Sequence, residues 1–156
     1  MALTLGQFLT AIGDAVVIAD VKGTITAWNP AAERLFGFPA SEALGASLDI
    51  IIPERQRPRH WAGYDQTMHT GTTRYGASLL QVPALKRDGS TISIAFTVAL
   101  LPGEDGQMAS IAAIIRDDTA RFNESRALRK RLAEAEAREG GRVSSQAQCP
   151  PSEHKG

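Results

Sequence analysis

The sequence predicts an α+β fold, with an antiparallel sheet and short helices gathered over one of its faces. Three observations carry this. Residues 91–100, TISIAFTVAL, alternate strictly: Ile92, Ile94, Phe96, Val98 and Leu100 point one way, and Thr91, Ser93, Ala95, Thr97 and Ala99 the other. Hairpin turn signals flank that strand, Asp88-Gly89 before it and PGEDGQ (102–107) after it. Between residues 29 and 71 lies a series of helix starts and stops, including Asn29-Pro30, Gly37, Pro58 and Gly71.

Taken in order, residues 5–12 place Leu5, Phe8, Leu9 and Ile12 at helical spacing, which predicts an N-terminal helical cap over residues 1–14. AVVIAD (15–20) and TITAWN (24–29) are short strands joined through VKG. Asn29 caps the next helix and Pro30 fits its first turn; Ala31, Leu35 and Phe36 face inward before Gly37 stops it. Residues 39–53 predict two helical turns, the first capped by Ser41 and the second by Asp49. A longer helix begins near Arg57 or Pro58 and runs to about Thr70, with Gly71 as its stop. Strands at 77–85, 91–100 and 108–117 complete a five-stranded sheet. From residue 120 the composition shifts to Ala, Glu, Arg and Leu, predicting a helix over 120–139 with a thin stripe of Phe122, Leu128, Leu132 and Ala135. Such a helix suits pairing with a partner but does not support a long coiled coil. The Gly-, Ser- and Pro-containing stretch 140–156 predicts a disordered tail.

Composition narrows the function. Seventeen basic and seventeen acidic residues cancel, so no basic excess points to nucleic acid. No apolar run approaches 18 residues, and the first residues lack a basic n-region, so neither a membrane span nor a signal peptide is expected and a cytoplasmic location is the default. The single cysteine, Cys149, can form neither an internal disulfide nor a zinc cluster. There is no Walker A loop, nucleophile elbow or metal-ligand cluster, so the chain is not expected to be an enzyme.

The segment PERQRPRHWAGYDQTMHTG (53–71) poses the functional question. His60, Tyr64 and Met68 stand at i, i+4 and i+8 on one helix face, whereas Trp61 projects about 100° away and packs elsewhere. On spacing alone a lone helical histidine such as His60 is more often a packed or exposed residue than a metal ligand, Tyr64 and Met68 are core residues, and His69 suits the helix C-terminus as a cation.

A resemblance bears on that choice. GTITAWNPAAERLFGFPASEALG (23–45) resembles the opening half of a PAS domain, KRDGSTISIAFTVAL (86–100) the PAS hairpin, and IIRDDTARF (114–122) the exit from the last strand into a signalling helix. The likeness covers roughly residues 8–120 and implies a PAS sensor domain over residues 15–119. It implies a ligand cavity between sheet and helices. IIPERQRPRH (51–60) further resembles the haem-binding PAS sensors typified by the oxygen-sensing histidine kinases of rhizobia, with gapless spacing from His60 to Asp88-Gly89. That resemblance implies haem b, with His60 as the iron ligand. The chain can also supply what haem needs around it. Leu79, Leu80, Val82, Ile92, Ile94, Phe96 and Val98 can form an apolar slot beside Tyr64 and Met68, and Arg74 or His69 can meet the propionates.

The chain departs from the group in two places. Leu80 stands where those sensors carry an arginine that hydrogen-bonds oxygen, and Arg74 where they carry a propionate-contacting histidine. A dry slot implies detection of CO or NO in preference to O2. A homodimer through the terminal helices and an effector elsewhere complete the expectation. The alternatives are a haem-free PAS dimerisation or interaction module, or a sensor of another small ligand. A flavin photosensor would require a reactive cysteine beside the flavin, and Cys149 lies in the tail.

Overall fold

A computed structural model of the chain describes residues 2–73 and 78–147, with side chains as far as Gly140. The chain divides into two compact units, Met1–Thr119 and Ala120–Gly156. In the first, helix α1 (Leu5–Ala11) precedes strands β1 (Ala15–Asp20) and β2 (Ile25–Trp28). Helices α2 (Pro30–Phe36) and α3 (Ala40–Ala43), two 3₁₀ turns (Leu48–Ile51 and Glu54–Gln56) and helix α4 (Arg57–Thr70) follow. Strands β3 (Leu80–Leu85), β4 (Thr91–Pro102) and β5 (Met108–Asp117) complete the unit, and α5 (Thr119–Ala147) leads into the second.

The sheet is antiparallel in the order β2-β1-β5-β4-β3. The chain termini of the sheet, β1 and β5, therefore pair at its centre, with Val17 opposite Ala113 and Ala15 opposite Ile115. Strand β3 lies at an edge, which is why Pro83 is tolerated in it: an edge strand has one side with no partner to donate to. One sheet face packs against the helices. Ala15, Val17, Ala19, Trp28, Ala84, Ile94 and Ile115 join Ala31, Ala32, Phe36, Ala43, Leu48, Ile51 and Tyr64 in a single core.

Asn29 anchors this arrangement. Only 6% exposed, it accepts from the backbone N–H of Ala32 at 3.0 Å as the α2 cap and from that of Val16 at 2.8 Å. Its Nδ2 donates to the carbonyls of Leu9 at 2.9 Å and Asp14 at 3.0 Å. One side chain thus ties together α1, β1 and α2. Helix α1 is closed at its start by a reciprocal capping box between Thr4 and Gln7.

Several sequence expectations need correction. Ser41 does not cap α3, whose N-cap is Pro39 with no side-chain bond. Asp49 does not cap the following turn; the Ser47 hydroxyl accepts the Asp49 N–H there, at 3.2 Å. The strand expected from residue 77 begins at Leu80, and β4 extends two residues further, to Pro102. Helix α5 does not stop at residue 139 but runs through Gly140 and Gly141 to Ala147, where a disordered tail was expected. Two interior glycines cost about 1 kcal/mol each, but extending an existing helix needs no new nucleus, and Arg142, Gln146 and Ala147 favour it. Residues 148–156 of that expected tail lie outside the described residues.

The exit from β5 is pinned to the sheet. The N–H of Asp118 donates to the Ser93 carbonyl at 2.8 Å, and the N–H of Ser93 donates to Thr119 Oγ1 at 3.2 Å. Asp117 accepts the Thr119 N–H at 2.9 Å, capping the first turn of α5. Ser93 lies between Ile92 and Ile94, so the start of α5 is fastened to the strand that lines the candidate slot.

Candidate functional site

Helix α4 forms where the sequence allows it. Pro58 occupies the first turn, where a missing N–H costs nothing, and Gly71 closes the other end in a left-handed conformation at φ 69°. The helix is held at its start by Arg57, which donates to the carbonyls of Ile52 at 3.1 Å and Asp49 at 3.3 Å. One turn further, Trp61 donates from Nε1 to Asp49 Oδ1 at 2.8 Å. Trp61 does not pack elsewhere as expected: its ring lies 4.8 Å from that of His60 and 5.3 Å from that of Tyr64, and it also reaches Gly23 in the β1–β2 turn. Tyr64, 7% exposed, donates its hydroxyl to the Asp20 carbonyl. These bonds fix which face of α4 turns toward the sheet.

His60 shares that face. Its Nδ1 is buried and has no hydrogen-bond partner. The imidazole lies 4.8 Å from the Trp61 ring, nearly perpendicular to it, and 5.7 Å from the Tyr64 ring. Burial lowers the His60 pKa, and the nearby Asp49 carboxylate opposes this less strongly. The imidazole is therefore neutral at pH 7, the only form in which it can donate a lone pair to a metal. Burial also pushes the Tyr64 phenol up, reinforced by the charges of Asp20 and Asp65, so Tyr64 stays a hydrogen-bond donor.

The opposing wall comes from strand pairing. Leu80 stands opposite Phe96 and Val82 opposite Ile94. Phe96 and Val98 in turn face Ile115 and Ala113. Leu80, Val82, Ile92, Ile94, Phe96 and Val98 therefore share the helix-facing side, and most remain half-buried. Sequence reasoning missed the β5 contribution to this wall, Ile111, Ala113 and Ile115. Their alternation in MASIAAIIRD is the signal that marks them. Met68 packs partly buried against the core, and Met108 lies beneath Gly71 at the end of α4. His69 and Leu79 are exposed, Leu79 just before β3, and Arg74 lies outside the described residues. Among the described residues there is no group of three or more His, Cys, Asp or Glu side chains that could hold a metal ion. No described helix is long and apolar enough to cross a membrane.

One consequence is a pH dependence of the ligand-free domain. His60 has a lower pKa folded than unfolded, so below about 6.5 the unfolded chain binds more protons. The stability contributed by a neutral His60 is complete above that pH and is lost as pH falls toward the folded value. Denaturant midpoints from pH 8 to 5 are expected to fall more steeply in the wild type than in His60→Phe. Parallel profiles would show that His60 is not the titrating group.

Comparison with known proteins accords with this geometry. Residues 5–118 match the PAS fold family. The sensor protein FixL of Bradyrhizobium diazoefficiens is 30% identical over 115 residues, 74% of this chain and 22% of that protein. The oxygen sensor protein DosP of Escherichia coli is 29% identical over 101 residues, 65% of this chain and 12% of that protein. The chain thus spans less than a quarter of the length of these relatives. Among solved structures, an RNA-binding light-oxygen-voltage receptor superimposes with a TM-score of 0.69 at 20% identity, covering 83% of this chain and 36% of that one, a likeness of fold alone. The chain belongs to the PAS family, and its five-stranded antiparallel sheet with overlying helices is a PAS sensor fold related to those of signal-transduction proteins.

Proposed function

We propose that this PAS domain binds haem b through His60 and detects a diatomic gas, with CO or NO favoured over O2. The observation that carries this reading is the buried, partnerless Nδ1 of the half-buried His60 imidazole, which burial keeps neutral, on the same face of α4 as Tyr64. Bound haem iron would supply a coordination position open to a diatomic ligand. His60 would hold the iron, and Tyr64, fixed to Asp20, would hold α4 in place. Leu80, Val82, Ile94, Phe96 and Val98, together with Met68, would enclose the macrocycle and exclude water. Arg74 would meet the propionates. The likeness to DosP, an oxygen sensor protein, favours a gas as the signal.

Selectivity follows from the wall. Leu80, Phe96 and Val98 present no proton donor, so a polar O2 ligand loses a charge-assisted hydrogen bond of about 1.5–3 kcal/mol, roughly ten- to hundred-fold in affinity. CO is far less polar and loses little. The domain performs no catalysis of its own. It signals to an effector, acting with a second copy of itself through the terminal helices.

The test is the absorption spectrum of protein expressed with ample haem. A Soret band is expected in the wild type and should vanish in His60→Ala while the far-UV circular dichroism is kept. The reduced protein should bind CO tightly and O2 weakly, and Leu80→Arg should strengthen O2 binding about tenfold or more. A slowly dissociating O2 complex in the wild type would overturn the selectivity. A wild type without a Soret band leaves the haem-free interaction module. The ties of Trp61 to Asp49 and of Tyr64 to Asp20 favour that second reading, because they hold α4 without any ligand.

A further inference from the structure

Helix α5 carries apolar side chains that are exposed among the described residues. Phe122 is 49% exposed, Leu128 62% and Leu132 60%. Ser125, Leu128, Leu132 and Ala135 follow alternating spacings of three and four, so they occupy a, d, a and d of two heptads. On that numbering Glu124 and Arg131 fall at g, and Arg129 and Glu136 at e. In parallel, in-register helices each g residue faces the e residue five positions further along the other chain. Glu124 then meets the partner's Arg129, and Arg131 meets the partner's Glu136. Both contacts join opposite charges.

Two of these four residues find no opposite charge along their own helix, whereas Glu124 has Arg121 and Arg131 has Glu134 three positions away. Arg129 has no acidic residue three or four positions away, and Glu136 has no basic one. The ion pairs among the described residues, Arg57–Asp49, Arg87–Glu42 and Arg116–Asp14, involve none of them. An antiparallel pairing that sets Leu128 against the partner's Leu132 brings Arg129 onto the partner's Arg129 and Arg131 onto the partner's Arg131. Repulsion thus disfavours that orientation.

We propose that α5 pairs in parallel and in register with α5 of a second copy of this chain along Ser125, Leu128, Leu132 and Ala135. The Glu124–Arg129 and Arg131–Glu136 contacts between copies select that orientation. The proposal rests on the second-copy reading above and adds its face, direction and register. Ser125 and Ala135 bury little, so the seam is short and its two leucines dominate it.

The test uses the full chain. Sedimentation equilibrium of the wild type is expected to show a concentration-dependent dimer. Leu128→Lys should weaken it tenfold or more, and Arg129→Glu with Glu136→Arg should weaken it as well. Combining that double variant with a chain carrying Glu124→Arg and Arg131→Glu should restore association as a heterodimer. In a Cys149→Ser background, Leu128→Cys alone should form a disulfide dimer on mild oxidation, and Lys130→Cys, on the outer face, should not. A wild type that stays monomeric at every concentration overturns both this proposal and the second-copy reading. A dimer unaffected by Leu128→Lys, or one in which Leu128→Cys links only to Leu132→Cys, overturns this pairing and leaves the second copy docked by another face or direction.

Discussion

Replacing Asn29 by alanine is expected to destabilise the PAS unit by about 3–5 kcal/mol. The side chain uses its full hydrogen-bonding capacity: two bonds accepted by Oδ1, from Val16 and Ala32, and two donated by Nδ2, to Leu9 and Asp14. Loss of an N-cap alone costs about 1 kcal/mol. The remainder comes from stranding the Val16 N–H and the Leu9 and Asp14 carbonyls in a region where water cannot fully replace the amide. Urea denaturation followed by circular dichroism measures the loss, and the midpoint temperature should drop by roughly 12 °C or more. Asn29→Asp separates the cap from the clip. Aspartate is as good a cap as asparagine, yet it would turn a carboxylate oxygen toward two carbonyls. It is therefore expected to be destabilising as well; an Asn29→Asp protein as stable as the wild type would show that only the cap matters.

This residue also shows where sequence reading stops. The cap was legible because Asn29-Pro30 is a local signal, with its partner three residues away. The other three bonds reach 13, 15 and 20 residues back along the chain, and no local pattern records them. The same division holds elsewhere. The alternation of 91–100 was enough to place Ile92, Ile94, Phe96 and Val98 on one face, because period 2 is a property of the strand itself. Helix α4 was legible because proline and glycine impose backbone limits wherever they stand. The Ser47 cap was not legible, since Ser41, Ser47 and Asp49 all have the chemistry and only the fold decides which backbone N–H each one meets. For the candidate site, the spacing of His60, Tyr64 and Met68 marked a helix face. That this face looks inward depends on the Tyr64–Asp20 bond, which spans 44 residues.

The closest approach in the site gives the second large effect. Gly23 has φ 85°, and a Cβ built there would lie 2.1 Å from Cη2 and 2.2 Å from Cζ3 of Trp61. The Cη2–Cζ3 edge of the indole abuts the glycine, and it is kept there by its bond to Asp49 and by the Tyr64 ring at 5.3 Å. Gly23→Ala therefore imposes two costs. A left-handed alanine costs about 1–2 kcal/mol. Displacing the indole sacrifices the Asp49 bond and part of its buried area, about 1–2 kcal/mol more. A total of about 2–4 kcal/mol is expected in denaturant titration.

A double-mutant cycle separates the two terms. In a Trp61→Ala background the indole is gone, so Gly23→Ala should cost only the backbone term, giving a coupling of about 1–2 kcal/mol between positions 23 and 61. Additive costs would mean that the ring moves aside freely, and Gly23 would then matter for its turn alone. His60 is the reason this contact bears on function. Its ring is edge-on to the indole at 4.8 Å, so the β1–β2 turn sets the orientation of Trp61, and Trp61 in turn limits where the imidazole can point. If His60 is the iron ligand, Gly23→Ala should shift or broaden the Soret band without abolishing it, because the ligand remains while the ring that braces it has moved.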